Sequence, residues 1–370
     1  MLIGIDGSRA FVKEKTGIEE YSYQVIKNLR GKLKKHQVIV FLRKNQSIDF
    51  SLPQNWKVKI LSIPRFWTQL GLSWEVFFQK IEILFISAHT VPFFHPEKTV
   101  VVVHGLEFET FPEGYSAWEK FYMHLSVKKS CHWAEKIVAV SQNTKKDLER
   151  IYKIPPKKIR VIYEGIREEI FSFKEKLEEE KKEHFPKKEK KEKYLFFVGR
   201  LEKRKNVLGI LDTFEILKEK YKIPHKLFLA GGPGFGYEEI MRKIQNSKFK
   251  KDIHILGFIN NEKKWSLMAN CEIFFWPSFY EGFGLPILEA QALGTPILTS
   301  NLSSLPEISG QGACFTDPNE PVAMAKIIQL ILQDEEMRKD LLRKGYENIE
   351  RFSWEKCSQE IAEILSGYEK

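Results

Sequence analysis

The segment Ser278-Phe279-Tyr280-Glu281-Gly282-Phe283-Gly284-Leu285-Pro286-Ile287-Leu288-Glu289-Ala290 sets two carboxylates around a glycine-rich turn. Glycines just ahead of a helix expose backbone N–H groups, and the helix dipole adds positive potential there, so an anion or a sugar hydroxyl is welcome. Pro286 falls in the first helical turn, where a missing N–H does no harm. Glu281 would lie in the loop and Glu289 two turns into the helix, beside the small Ala290 and Ala292. A carboxylate accepts well from the vicinal hydroxyls of a ribose or a hexose. Taken alone, Glu289 reads equally as an ordinary solvent-facing helix residue.

A second segment, Phe197-Val198-Gly199-Arg200-Leu201-Glu202-Lys203-Arg204-Lys205-Asn206, leads from an apolar run through a basic loop into a helix. Arg200 and Lys205 can both point at one phosphate, the first as a fork and the second as a point charge. By itself the segment also reads as a basic surface loop. A third loop, Ala230-Gly231-Gly232-Pro233-Gly234-Phe235-Gly236, again follows a strand pattern, and it matches a dinucleotide fingerprint only loosely. Nearer the start, Thr16-Gly17-Ile18-Glu19 opens a helix after the strand pattern Leu2–Asp6, a place where backbone N–H groups meet phosphates. His104 ends a run of four valines; at the carboxyl end of a parallel strand it would face a ligand crevice and could donate or accept a hydrogen bond at neutral pH.

These residues need a frame. Apolar runs such as Val100–Val103 suit parallel strands covered on both faces. In the first half, strand patterns at Leu2–Asp6, Val38–Leu42, Lys57–Ser62, Ile83–Ser87, Val100–His104, Ile137–Ser141 and Ile159–Tyr163 alternate with helical ones. The second half repeats this with strands at Tyr194–Gly199, Lys226–Ala230, Ile253–Leu256, Glu272–Trp276, Pro296–Thr299 and Ala313–Thr316. The pattern is α/β: two Rossmann-like, doubly wound domains in tandem, with a ligand expected in a cleft at the carboxyl ends of facing strands. The expected boundaries are a first domain over 1–170, a charged linker over 171–193, a second domain over 194–352, and a C-terminal helix over 353–370 able to cross back to the first domain. Lys174–Lys193 holds nine lysines and seven glutamates, which reads as a solvated linker or an exposed helix of mixed charge, without the excess charge of a nucleic-acid-binding segment.

At 370 residues, with 43% hydrophobic and 29% charged, the chain is neither disordered nor a membrane spanner. Its N-terminus lacks the marks of a signal peptide. Four scattered cysteines give no zinc or disulfide framework and point to a reduced, cytoplasmic compartment. Residues 1–170 carry 27 Lys and Arg against 18 Asp and Glu (27 − 18 = +9), and the remainder 32 against 31. The first half is therefore expected to meet something anionic, although a merely solvated surface fits the charge as well.

Together the segments resemble retaining glycosyltransferase family 4, which has the two-domain GT-B fold with a central cleft. The motifs that carry the resemblance are Val198-Gly199-Arg200-Leu201-Glu202-x-Arg204-Lys205-Asn206, Leu229-Ala230-Gly231-Gly232-Pro233-Gly234 and Pro277-Ser278-x-x-Glu281-Gly282-Phe283-Gly284-Leu285-Pro286-x-x-Glu289-Ala290, joined by Thr16-Gly17-Ile18, the His104 strand end and Val140-Ser141-Gln142-Asn143-Thr144. Two positions depart from the family: His104-Gly105 stands where His-Asp is common, and Glu164-Gly165 where Asn-Gly is.

The resemblance implies a metal-independent hexosyltransferase, with mannose the preferred reading for the sugar, that uses a nucleotide sugar as substrate and no cofactor. Arg200 and Lys205 would neutralise the donor diphosphate, with a backbone N–H from Gly17. Glu289 would hold the ribose, and Glu281 the sugar, helped by Gly282, Phe283, Gly284 and Leu285. His104 would bond the sugar near the anomeric carbon. The acceptor would be a glycan or a lipid-linked sugar of cell-surface polysaccharide synthesis. Competing readings are another activity on the same fold, such as a sugar-nucleotide 2-epimerase, or a non-catalytic binder. Aromatics that look exposed (Phe66, Trp67, Trp74, Phe108, Phe111) join the basic charge in suggesting peripheral docking on an anionic inner membrane face. For Trp67 to Phe78 a core-facing helix is the simpler expectation.

Overall fold

The computed structural model of the protein describes residues 1–63, 65–183 and 192–368. The apolar runs become strands wherever both faces are covered: Val100 to Val103 are wholly buried. In the first sheet β1 (Leu2–Asp6), β2 (Gln37–Arg43), β3 (Trp56–Leu61), β4 (Ile83–Ile86), β5 (Lys98–Val103), β6 (Lys136–Ala139) and β7 (Ile159–Val161) lie in the order β3-β2-β1-β4-β5-β6-β7. In the second, β8 (Tyr194–Val198), β9 (Lys226–Ala230), β10 (Ile253–Gly257), β11 (Ile273–Trp276), β12 (Ile297–Ser300) and β13 (Cys314–Thr316) lie in the order β10-β9-β8-β11-β12-β13. Neighbouring strands pair in parallel, for example Gly4 with Ile39 and Leu84, and Phe196 with Phe228 and Phe274. The strand order reverses beside β1 and beside β8, and such reversals open a crevice at the carboxyl ends of the strands.

The chain divides into two units, Met1–Gly165 together with the segment from Phe352 onward, and Ile166–Arg351. In the first unit the C-terminal helix Trp354–Ser366 is capped by Ser353, whose hydroxyl accepts from the Lys356 N–H at 3.0 Å. Its Trp354 ring lies 5.7 Å from that of Tyr21, on the helix Gly17–Leu29.

The start of the stretch expected as a linker or an exposed helix is a helix, Glu169–Glu183, and it belongs to the second unit. Ile170 and Phe173 ahead of the charge run and Leu177 within it recur at helical spacing, and Phe173 packs on Trp265 at 5.8 Å. The rest of that stretch, residues 184–191, lies outside the described residues. The sequence reading also passed over the helix Glu335–Ile349, a largely charged element capped by Asp334 and tied along its surface by Arg343 to Asp340 and Glu347.

Two aromatics expected at the surface are core residues: Trp67 and Phe108 are 2% and 1% exposed. The expected core-facing helix from Trp67 to Phe78 is a π-helical turn, Trp67–Leu72, followed by a short α-helix, Ser73–Phe78. Trp67, Leu72 and Val76 point inward, while Phe66, Trp74, Phe77 and Phe78 stay exposed. Among the described residues no helix is long and apolar enough to cross a membrane.

Candidate active site

In the second unit the functional segments converge where the strand order reverses. The loops after β8 and β9 are zipped by backbone hydrogen bonds, Gly199 N–H to the Ala230 carbonyl, Leu201 N–H to Gly232 and Lys203 N–H to Phe235. Only glycine fits at 231: its φ is +140°, and a Cβ there would come within 1.8 Å of the Gly199 carbonyl oxygen. The third glycine loop therefore serves the second: it clamps the basic segment.

That segment ends in a single turn, Lys203–Lys205, before Asn206 caps the helix Val207–Glu219 by accepting from the Gly209 N–H at 3.2 Å. The turn buries Lys205 and leaves Arg200 exposed. Lys205 Nζ donates to the Glu281 carboxylate and lies 4.7 Å above the Trp276 ring. Arg204, absent from the expected site, donates to the Tyr280 carbonyl at 2.8 Å and to Glu202 at 2.7 Å, and its guanidinium is 3.4 Å from Glu281. Burial works to raise the Glu281 carboxyl, but Lys205 and Arg204 together hold it below the ordinary carboxylate value. Burial pushes the Lys205 ammonium down; the pull of Glu281 opposes this and the charge of Arg204 adds to it.

The turn after β11 is fixed from the neighbouring strand. Ser303 and Ser304, which follow β12, donate to the Glu281 carbonyl at 2.6 and 2.9 Å, and Ser304 also reaches the Phe283 carbonyl at 2.7 Å. Gly284, at φ +122°, then turns the chain into the helix Leu285–Leu293. Glu289 is buried on that helix, not solvent-facing. Its Oε1 accepts from Lys264 at 2.6 Å and from the Trp265 indole at 3.1 Å, while Oε2 is buried with no hydrogen-bond partner. An unsatisfied buried carboxylate oxygen is costly, and a ligand hydroxyl is one remedy.

In the first unit Gly17 opens its helix on an exposed turn, where the Glu19 carboxylate accepts from the Thr16 N–H at 3.2 Å. His104 follows β5 and is buried. Its Nε2 donates to the Ser87 carbonyl at 2.8 Å, and Nδ1 lies 3.5 Å from the Glu164 carboxylate. Burial raises the Glu164 carboxyl and its hydrogen bond with His104 lowers it. The family departure at 164 is thus the group that His104 meets, and for His104 to bond a sugar one of these two contacts must be exchanged.

The sequence reading names Lys205, Glu281 and Glu289; the structure pairs Lys205 with Glu281 and sets Glu289 on the helix that follows the turn 282–284. That reading missed Arg204, Glu202, Lys264 and the two serines. Arg204 was in view within the motif; the serines had no signal beyond their position after a strand. Among the described residues no group of three or more His, Cys, Asp or Glu side chains is placed to hold a metal ion.

This arrangement, a basic turn and a glycine turn at the reversal of a parallel sheet, is the candidate site of an α/β protein. A sequence profile for glycosyl transferases group 1 matches residues 178–348, and one for glycosyltransferase family 4 matches residues 15–169. The chain belongs to the family 4 glycosyltransferases and is a GT-B enzyme of two Rossmann-like domains. O-antigen chain mannosyltransferase B of Escherichia coli is 29% identical to it over 266 residues, which is 71% of this chain and 68% of that protein. Sucrose-phosphate synthase of Thermosynechococcus elongatus matches its fold with a TM-score of 0.76 at 18% identity, over 99% of this chain and 98% of that one. HepE of Anabaena, solved with UDP and glucose, matches at 0.70 and 19% identity over 99% of each chain.

Proposed function

We propose that this glycosyltransferase moves a hexose, mannose in preference, from a nucleoside-diphosphate sugar to a glycan or lipid-linked acceptor with retention of anomeric configuration. The observation that carries the reading is the buried Lys205–Glu281–Arg204 cluster, with the uncommitted oxygen of Glu289 on the helix that follows the same turn. Lys205 and Arg200 meet the diphosphate, and Gly17 adds an N–H. Glu289 takes a ribose hydroxyl, Glu281 the hydroxyls of the sugar, and Gly282, Phe283, Gly284 and Leu285 shape the turn around it. His104 bonds the sugar near its anomeric carbon. The bond from that carbon to the phosphate oxygen breaks as the acceptor oxygen attacks from the same face, and the leaving phosphate takes the acceptor proton. Negative charge grows on the diphosphate, and fixed cations aimed at it lower the barrier. In this reading the counter-charge comes from side chains, without a metal ion or a cofactor. The preference for mannose rests on likeness to the E. coli mannosyltransferase.

The acceptor side is proposed to touch an anionic membrane. Trp74, Phe77, Phe78, Phe93 and Phe94 are each more than half exposed and touch one another in a chain, Trp74 to Phe78 at 4.6 Å and Phe77 to Phe94 at 6.0 Å. An apolar patch of this kind on a half-chain of charge +9 suits headgroup depth. A panel of GDP-, UDP- and ADP-sugars, assayed for donor hydrolysis and for transfer, tests the activity. Turnover of one donor supports it; tight nucleotide binding with no turnover of any donor leaves a binding protein.

A further inference from the structure

If the donor diphosphate comes to Lys205, as proposed above, Glu281 faces a conflict. Its carboxylate already receives the Lys205 ammonium, and the incoming group brings at least two further negative charges to the same cation. In a buried site, a carboxylate that must share its counter-ion with a diphosphate either takes up a proton or swings away. Either outcome would spoil it as an acceptor for sugar hydroxyls.

The structure places a second cation at that carboxylate. Arg204 stands 3.4 Å from Glu281 on the Oε2 side, while Lys205 holds Oε1. Its fork is anchored elsewhere by the Tyr280 carbonyl at 2.8 Å and Glu202 at 2.7 Å. Glu202 is itself wedged against the glycine loop: a Cβ on Gly234 would come within 2.7 Å of the Glu202 Cβ. One guanidinium thus ties the loop after β8 to the loop after β11.

We infer that Arg204 is the positioning residue of the donor site, the counter-ion that keeps Glu281 ionised and in place when Lys205 turns to the diphosphate. The charged groups around Glu281 are Lys205 and Arg204 directly and Glu202 through Arg204; Ser303 and Ser304 hold its backbone. Two cations, Lys205 and Arg204, balance two carboxylates, Glu281 and Glu202. When the diphosphate claims Lys205, Arg204 remains for Glu281, and its 3.4 Å contact has room to tighten.

The test compares Arg204→Met, Arg204→Lys and Lys205→Met in the full chain. It measures affinity for the free nucleoside diphosphate, kcat and KM for the preferred donor, and the pH profile of kcat/KM. For Arg204→Met the expected result is nucleotide affinity within about 3-fold of wild type, kcat/KM lower by about 10²-fold, and an acid limb displaced to higher pH. Arg204→Lys, which keeps the charge but cannot serve three acceptors, should recover part of the rate and of the acid limb; it also answers the question if Arg204→Met does not fold. A loss of nucleotide affinity of tenfold or more in both Arg204 variants would make Arg204 a phosphate ligand and overturn the inference. Unchanged rate and pH profile would make it a spectator, with the same consequence. If Lys205→Met leaves nucleotide affinity intact, it is the diphosphate assignment that fails, and the Arg204 results separate the two.

Discussion

Replacing Glu289 by alanine probes the donor pocket through its one uncommitted atom. Oε1 is engaged by Lys264 and Trp265, whereas Oε2 is buried and unpartnered. One open oxygen predicts one strong hydroxyl contact, so either the 2′ or the 3′ hydroxyl of the ribose dominates. A hydrogen bond to a charged group contributes roughly 1.5–3 kcal/mol, or about 10- to 150-fold in affinity. Calorimetric titration with the nucleoside diphosphate that binds most tightly, and with its 2′- and 3′-deoxy forms, should show a loss of that size for one deoxy form in wild type. In Glu289→Ala the parent nucleotide should weaken by a similar factor, and the deoxy penalty should vanish, because the hydroxyl has lost its partner. Glu289→Gln keeps an oxygen for Lys264 and Trp265 without the charge, and should fall between. A melting curve confirms that each variant is folded. An undiminished deoxy penalty in folded Glu289→Ala would refute the ribose role.

Lys205→Ala and Arg200→Ala should each lower transfer by about 10²-fold or more; the exposed Arg200 should do so without loss of melting temperature, and near-normal turnover in either folded variant would remove it from the phosphate site. Because its neighbouring cations hold Glu281 below the ordinary value of 4.5, its ion pairs stabilise the fold above that pH and are lost as pH falls through the lower folded value. The melting difference between wild type and Glu281→Gln should therefore be constant from neutral pH to about 5 and shrink below 4.5; a difference that grew on acidification would contradict this sign. Trp74→Ser with Phe77→Ser should abolish salt-sensitive co-sedimentation with anionic vesicles at unchanged stability, whereas Phe108→Ala should cost about 3–5 kcal/mol of stability and leave vesicle binding intact. No wild-type binding at low salt would favour a soluble acceptor.

Much of the frame was legible because buried parallel strands read as unbroken apolar runs, and Val100 to Val103 or Ile273 to Trp276 allow little else. Glycine-rich turns marked where the strands end. The helix Glu335–Ile349 was invisible for the opposite reason: most of its surface is charged and little of it meets the core. Phe108, read as exposed, is buried because the short helix Glu107–Thr110 turns it inward, whereas the core-facing expectation for the segment from Trp67 holds for Trp67 itself. Within the site, charge was legible but pairing was not. Spacing suggests Arg200 and Lys205 as two fingers on one anion; that the single turn Lys203–Lys205 buries the lysine against Glu281 while Arg200 stays exposed is a matter of the fold. The role of Arg204 depends on Tyr280 and Glu202, whose nearness only the folded chain supplies.

The central claim is that this site cleaves a sugar nucleotide and passes the sugar on with its configuration kept. Proton NMR of a reaction with the preferred donor tests it most directly, following the anomeric signal of the first-formed product in wild type and in Lys205→Ala. The expected result is release of nucleoside diphosphate together with a product of the donor's own anomeric configuration, slowed by about 10²-fold in the variant. An inverted first product, or equal rates in the two proteins, would contradict it.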